Sequence, residues 1–297
     1  MNFVTIPIMN YENAVEEYLD YMVSVRGYSP VTANAYRYTL LLFSELTGID
    51  SIYQVTKETI DRFAKKLVRE RKAKVATRSR YFVALRSFMK YWGTYREKRV
   101  LSYLQIDIPK SPERKIVPLK KEYFEKIVDS IPNTTFFNTR DRALFLILFS
   151  TGMRAHELMQ VERDDNQLLE KKEITIMGKG GKVRTVYISD RAADALRDYL
   201  IRRTDKSKLL FYGNTVNERM NKGMMTRILK KRLKECGIDS KITLHMLRHL
   251  FATELVSNGA NIYYIQEMLG HSNISDTAIY MHASNKALKE AHSKFLT

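Results

Sequence analysis

Cysteine is nearly absent from this chain: Cys236 stands alone among 297 residues. One thiol closes no internal disulfide and gives no Cys pair for a structural zinc finger, so a reducing, cytoplasmic setting is expected. Long apolar runs are missing too. The stretch "RALFLILFSTGM" is too short to span a bilayer and reads as a buried helix. The first residues carry no basic segment leading into an apolar one, so no secretory signal is visible. There is no internal repeat and no low-complexity tract. Acid is scarce as well: 33 Asp and Glu face 50 Lys and Arg, a formal net charge of +17. With 44% hydrophobic and 28% charged residues, the chain has the composition of a globular protein with one large or two ordinary domains.

The positive excess is uneven. Residues 1–50 carry two basic and six acidic side chains, whereas residues 51–100 carry fifteen and four, and residues 201–250 thirteen and four. The segment "RKAKVATRSRYFVALRSFMK" (71–90) holds seven basic residues and no acid. A solvated helix face is the bland explanation. The functional one is phosphate contact along a nucleic acid, where such clusters gain affinity by releasing counterions. Membrane-surface binding fits less well, because the apolar positions are committed to a core.

The first hundred residues read as helical throughout. "YENAVEEYLDYMVSVRG" has helical apolar spacing and stops at Gly27. Ser29-Pro30 supplies an N-cap and a first-turn proline for the next helix, Thr56 caps a third, and a fourth spans about Thr77 to Trp92. Arg78, Arg80 and Arg86 are expected on a basic face of that helix, opposite Phe82, Leu85, Phe88 and Met89. The proline-rich, charged stretch "IDIPKSPERKIVPLKKE" then reads as a connector. The expected division is a helical DNA-binding domain at 1–107, a linker at 108–117 and a second domain at 118–297. In the second part helices are expected at 120–131, 139–152, 154–161, 189–203, 222–236, 244–258, 261–269, 275–283 and 286–296. "KEITIMGKGGKVRTVYIS" reads as a β-hairpin around a glycine-rich turn.

That turn, "GKGGK", is no nucleotide-binding loop. Lys182 is followed by valine and a second strand, not by Ser or Thr opening a helix. It leaves Lys179 and Lys182 on a hairpin tip. "STGMRAHELMQV" puts Arg154 at a helix start with Glu157 three residues on, which alone reads as a local ion pair. "TLHMLRHLFATEL" places His245 and Arg248 at i, i+3 on one helix face. His245 and His249 at i, i+4 lack the glutamate and cysteines a zinc site would add, so no metal is expected. Finally, "LGHSNISDTAIYMHAS" holds His271 and Tyr280. Singly, each feature has a structural explanation. Together they make a chemical set: two guanidiniums to clamp the non-bridging oxygens of a phosphodiester, a tyrosine oxygen as nucleophile, and a lysine to protonate the leaving oxygen.

The ordered motifs "TGMRAHEL", "GKGGKVRTV", "HMLRH" and "LGHSNISDTAIYMH" resemble the tyrosine recombinase (phage integrase) family, the Xer type above all. The resemblance covers the whole chain. It implies a mainly α fold, with an all-helical N-terminal core-binding domain and an α+β catalytic domain carrying a small antiparallel hairpin, closed as a C-shaped clamp around DNA. It further implies that Tyr280 attacks the scissile phosphate to leave a 3′-phosphotyrosine. Arg154 and Arg248 would hold phosphate oxygens, Lys179 would protonate the leaving 5′ oxygen, and His245 would assist Tyr280. His271 would bond a phosphate oxygen, and Glu157 would orient the arginine and histidine side chains. Lys179 is preferred to Lys182 because the family's lysine follows the first glycine of the turn; Lys182 then joins Arg78, Arg80 and Arg86 as an expected DNA contact. No nucleotide, metal or other cofactor is implied, since the phosphotyrosine bond keeps the energy of the broken diester.

The implied partner is double-stranded DNA with a palindromic recombination site. Four protomers would act on two paired sites, passing through a Holliday junction, each C-terminal helix docking into a neighbour. Free in solution the protein is expected to be monomeric. Chromosome-dimer resolution is the expected role, with integration or excision of a mobile element, and a type IB topoisomerase, as alternatives. A DNA-binding protein with a decayed active site is a third. The target sequence, a second recombinase and any accessory protein stay open.

Overall fold

The computed structural model describes residues 10–110, 119–164, 166–178, 183–216, 218–239 and 241–270. Its contacts divide the chain into two units, Met1–Lys115 and Ile116–Thr297. Among the described residues, no helix is long and apolar enough to cross a membrane.

The first unit is built from α1 (Tyr11–Asp20, continued by a π turn over Tyr21–Val25), α2 (Pro30–Thr47), α3 (Lys57–Arg69) and α4 (Val75–Tyr95). Local chemistry sets the helix starts. Asn10 accepts the Glu12 N–H at 2.8 Å, and Ser29 accepts the Thr32 N–H at 3.2 Å with Pro30 behind it. Thr56 and Thr59 bond each other's backbone N–H reciprocally. The core gathers Tyr11, Phe43, Phe63, Phe88, Met89 and Trp92, with Phe43 and Phe63 edge to face at 5.0 Å.

The basic helix α4 is longer than its apolar pattern implied, and its basic face needs correcting. Arg78 does not oppose the apolar residues. At 100° per residue it falls in line with Phe82, Leu85 and Met89, and in the structure it is half-buried with its Nε out of contact with solvent. Arg80 alone of the three is exposed; Arg86 is half-buried, with its guanidinium 6.0 Å from the Tyr103 ring centre.

The second unit contains α5 (Lys121–Asp129), α6 (Phe136–Thr151), α7 (Ala155–Leu158), the hairpin β1 (Glu173–Met177) and β2 (Val183–Tyr187), α8 (Asp190–Ile201), α9 (Lys222–Glu235), α10 (Leu244–Ser257) and α11 (Ile262–Leu269). Helix α6 is the spine. Leu144, Phe145, Ile147 and Leu148 are buried there against α8, α10 and the hairpin. It begins three residues before its expected start because Thr135 caps it, accepting the Asn138 N–H at 3.2 Å. It ends at Gly152, in the left-handed region at φ +60°.

The helix expected at 154–161 is a single turn. Past Leu158 the chain leaves helical geometry to pair with a distant segment, Leu210 donating to the Val161 carbonyl (3.2 Å) and Arg163 to that of Lys208 (2.7 Å). Those partners lie some fifty residues away, so no local pattern announces the break. The hairpin pairs antiparallel, from Glu173 opposite Tyr187 to Met177 opposite Val183. Lys179 and Lys182 at its turn lie outside the described residues, as do the helices expected at 275–283 and 286–296.

Candidate active site

Four of the predicted catalytic residues fall among the described ones: Arg154, Glu157, His245 and Arg248. Lys179, Lys182, His271 and Tyr280 lie outside them. The four come from two places, the corner between α6 and α7 and the first turns of α10.

The corner is tight. Gly152 caps α6, and Arg154 is the N-cap of α7 with extended backbone (φ −76°, ψ 148°). Glu157, fully buried at its side chain, turns back on that cap. Its carboxylate accepts the Arg154 backbone N–H at 2.6 Å and the Arg154 Nη1 at 3.1 Å. An acid in the first turn also complements the positive end of the helix. Arg154 keeps 31% of its side chain exposed, so the guanidinium is held on one side and open on the other.

Arg248 joins this corner from α10. Only 1% of it is exposed. Its Nη1 donates to the Gly152 carbonyl at 2.8 Å and its Nη2 to the Leu269 carbonyl at 2.6 Å. It therefore ties the residue two before Arg154 to the residue two before His271. Burying a guanidinium is costly unless donors find acceptors, and these two carbonyls are such acceptors. A side chain on Gly152 would meet the Phe251 ring at 2.3 Å, so the close approach of α6 and α10 requires glycine there.

His245 stands one turn before Arg248 at an exposed position. It is held below the ordinary histidine value, first by loss of hydration among its neighbours and then by repulsion from Arg248, Arg154 and Lys222. A histidine so placed is neutral at physiological pH and able to accept a proton. Its ring lies 4.6 Å from that of His249, edge to face. Among the described residues, no group of three or more His, Cys, Asp or Glu side chains gathers as a metal site would need.

One residue of the site was not singled out from the sequence. Arg184 of β2 donates from Nη2 and Nη1 to the two Glu157 oxygens, at 2.9 and 3.2 Å, and from Nε to the Met268 carbonyl at 2.9 Å. The signal was available in the strand's period of two. Arg184 shares a face with the buried Val186, an inward position where an arginine must have a partner.

Two arginines, Arg154 and Arg184, thus share the Glu157 carboxylate, while Arg248 is tied to the Gly152 carbonyl beside them and His245 feels the charges of Arg154 and Arg248, an excess of positive charge suited to an anion such as a phosphodiester. A sequence model of the Phage integrase family matches residues 118–287, and one of its N-terminal SAM-like domain matches residues 15–94. The chain belongs to the phage integrase family.

Relatives within this family of tyrosine recombinases run nearly end to end. Tyrosine recombinase XerA of Pyrococcus furiosus is 34% identical over 93% of this chain and 92% of its own length. Tyrosine recombinase XerD of Listeria innocua is 32% identical over 95% and 97%. A crystal structure of XerA recombinase shares 25% identity at TM-score 0.52 over 96% of this chain and 97% of that one. A XerH site-specific recombinase in a post-cleavage complex with palindromic difH substrate superimposes at TM-score 0.73, with 24% identity, over 96% and 85%. The chain is a tyrosine site-specific recombinase, an enzyme that breaks and rejoins DNA, with the family's mainly helical fold: a SAM-like N-terminal unit and a catalytic unit containing a small antiparallel sheet.

Proposed function

We propose that the chain cleaves a palindromic DNA site through Tyr280 and acts in Xer-type chromosome-dimer resolution. The observation that carries the catalytic part is the Arg154–Glu157 corner joined to Arg248 through the Gly152 carbonyl, which brings two arginines 94 positions apart in sequence to one place. The Tyr280 oxygen attacks phosphorus, its proton passing toward neutral His245. The bond from phosphorus to the 5′ oxygen breaks, and Lys179 gives that oxygen a proton. Arg154 and Arg248 take the charge building on the non-bridging oxygens, with His271 bonding one of them and Glu157 setting the Arg154 side chain. The 3′-phosphotyrosine keeps a phosphoester bond, so return attack by a 5′-hydroxyl reseals the strand with no cofactor.

In this reading residues 1–107 form the core-binding domain and 118–297 the catalytic domain, joined by 108–117. Arg80, Arg86 and Lys182 contact DNA, Arg80 being better exposed than Arg86; Arg78 acts less directly, from its half-buried position. Four protomers assemble on two paired sites and proceed through a Holliday junction, exchanging C-terminal helices, in the cytoplasm. The similarity to relatives named Xer supports the dimer-resolution role over integration of a mobile element.

The test is a covalent trap. Wild type and Tyr280→Phe are each incubated with nicked duplexes whose half-sites are randomised, and adducts that survive SDS are sequenced. Adducts from wild type alone, sharing one palindromic site, are the expected result. Adducts with no common sequence would favour topoisomerase chemistry, and adducts that persist in Tyr280→Phe would remove Tyr280 from its role. A plasmid carrying two copies of the recovered site in direct repeat then tests resolution, which a dimer-resolving enzyme performs and which yields two circles.

A further inference from the structure

Glu157 poses an electrostatic problem for the site just described. A fully buried carboxylate bonded to Arg154 neutralises the guanidinium that is meant to hold a phosphate. The corner solves this with a second cation. Arg184 grips both Glu157 oxygens from the opposite side, with 9% of its own side chain exposed. It has no open face of the kind Arg154 has.

We infer that Arg184 is a positioning residue for strand cleavage: it carries the counter-charge of Glu157, leaves the charge of Arg154 free for the scissile phosphate, and locks β2 to the end of α11. The inference deepens the proposed function and rests on it for the identity of the phosphate. The lock has three parts. Two N–H groups hold Glu157 of α7, Nε holds the Met268 carbonyl, and the guanidinium packs on Gly270. That glycine, at φ +64°, has no room for a side chain, since a Cβ would lie 2.9 Å from Arg184 Nη1. One side chain therefore fixes the backbone immediately before His271 and the acid beneath Arg154. A planar fork with three N–H groups pointing in set directions can do this; an ammonium cannot.

The charges around Glu157 give the inference a handle. Burial would raise its carboxyl, but the Arg184 bonds, the Arg154 backbone N–H and the charges of both arginines outweigh that and hold it below the usual value. Arg154 at the N-cap of α7 and Arg184 on β2 bond it directly, while Arg248 of α10, Lys222 of α9 and Arg154 itself act on the neighbouring His245. Without Arg184, burial is opposed by Arg154 with fewer bonds, and the carboxyl rises.

The experiment compares wild type, Arg184→Met, Arg184→Lys, Glu157→Gln and the double variant Glu157→Gln/Arg184→Met on the nicked site recovered above. Three quantities are read: the single-turnover rate of adduct formation, the DNA affinity, and Tm against pH. Arg184→Met is expected to keep DNA affinity within about twofold and to lose about a hundredfold in adduct rate, the scale of a misplaced reacting group. The double variant should be no slower than Arg184→Met, because Arg184 acts through Glu157. Arg184→Lys, which keeps the charge and the fold, should recover only part of the rate. The Tm gap between wild type and Arg184→Met should narrow as pH falls from neutrality toward about 4.5, and stay constant in the Glu157→Gln background. An adduct rate within about threefold of wild type overturns the inference, as does a loss that only follows DNA affinity or losses that multiply in the double variant. If wild type forms no adduct, the cleavage reading fails by itself. The Tm gap then decides the Arg184–Glu157 pairing, and a gap independent of pH overturns it.

Discussion

Gly152→Ala is the sharpest single test of how the corner is held. Two separate penalties act at this position. The first is conformational: a residue with a Cβ at φ +60° costs about 1–2 kcal/mol. The second is steric. The new Cβ would stand 2.3 Å from Phe251 Cδ1 and 2.6 Å from Cε1, so the ring or the whole of α10 must move. Overpacking of that kind costs about 1–3 kcal/mol, giving a combined loss of about 2–5 kcal/mol. Gly237→Ala is the matched control. It lies in the same unit at φ +64° with nothing within 4 Å of its Cβ position, so it should lose only the conformational part, about 1–2 kcal/mol. Urea denaturation followed by far-UV circular dichroism measures both. Trp92, the chain's one tryptophan, lies in the first unit's core, so its fluorescence transition serves as an internal reference that neither substitution should shift. Because the Gly152 carbonyl holds Arg248, Gly152→Ala should also slow adduct formation, and Gly237→Ala should not. Equal destabilisation by the two substitutions would refute the reasoning, since it would mean the Phe251 contact exerts no constraint.

Other outcomes follow from the same geometry. His245 is held below its ordinary value in the folded chain, so the unfolded chain binds more protons there and stability falls as pH drops below about 6.5. In His245→Gln, Tm should therefore decline less steeply than in wild type between about pH 7 and 5, read by thermal melts in matched buffers. Arg80→Ala should weaken DNA binding and reduce the slope of log affinity against log salt by about one, with Tm unchanged, as measured by fluorescence anisotropy. The half-buried Arg78 differs: Arg78→Ala should lower the first unit's Tm, because it removes a partly buried side chain from the helix side that carries Phe82 and Leu85.

How much of this was legible in the sequence varies with the range of the interaction that fixes each feature. Ser29-Pro30 and Thr56 start helices through bonds to residues three positions away, and both were readable. The hairpin was readable too, because alternation and a glycine turn are local. Arg78 was misplaced because basic residues were counted as one cluster when the helical angle between Arg78 and Arg80 sets them on different sides. The short α7 and the role of Arg184 could not be placed by pattern alone. The first is cut off by pairing with residues 208–210, and the second depends on Glu157 and Met268, 27 and 84 positions away.

The sequence by itself determined the residue types and their order: an arginine after a helix-ending glycine, two histidines and an arginine on one helix, a lysine-bearing hairpin, a tyrosine after a Gly-His pair. Covalent order is enough for that, because each motif is short and carries its own local geometry. Only the tertiary structure decided which side chains share a carboxylate, that Arg248 is anchored on the Gly152 and Leu269 carbonyls, and that Arg184 balances Glu157. The reason is physical. A buried charge must find its partners wherever the fold brings them, and sequence distance places no limit on which element supplies them.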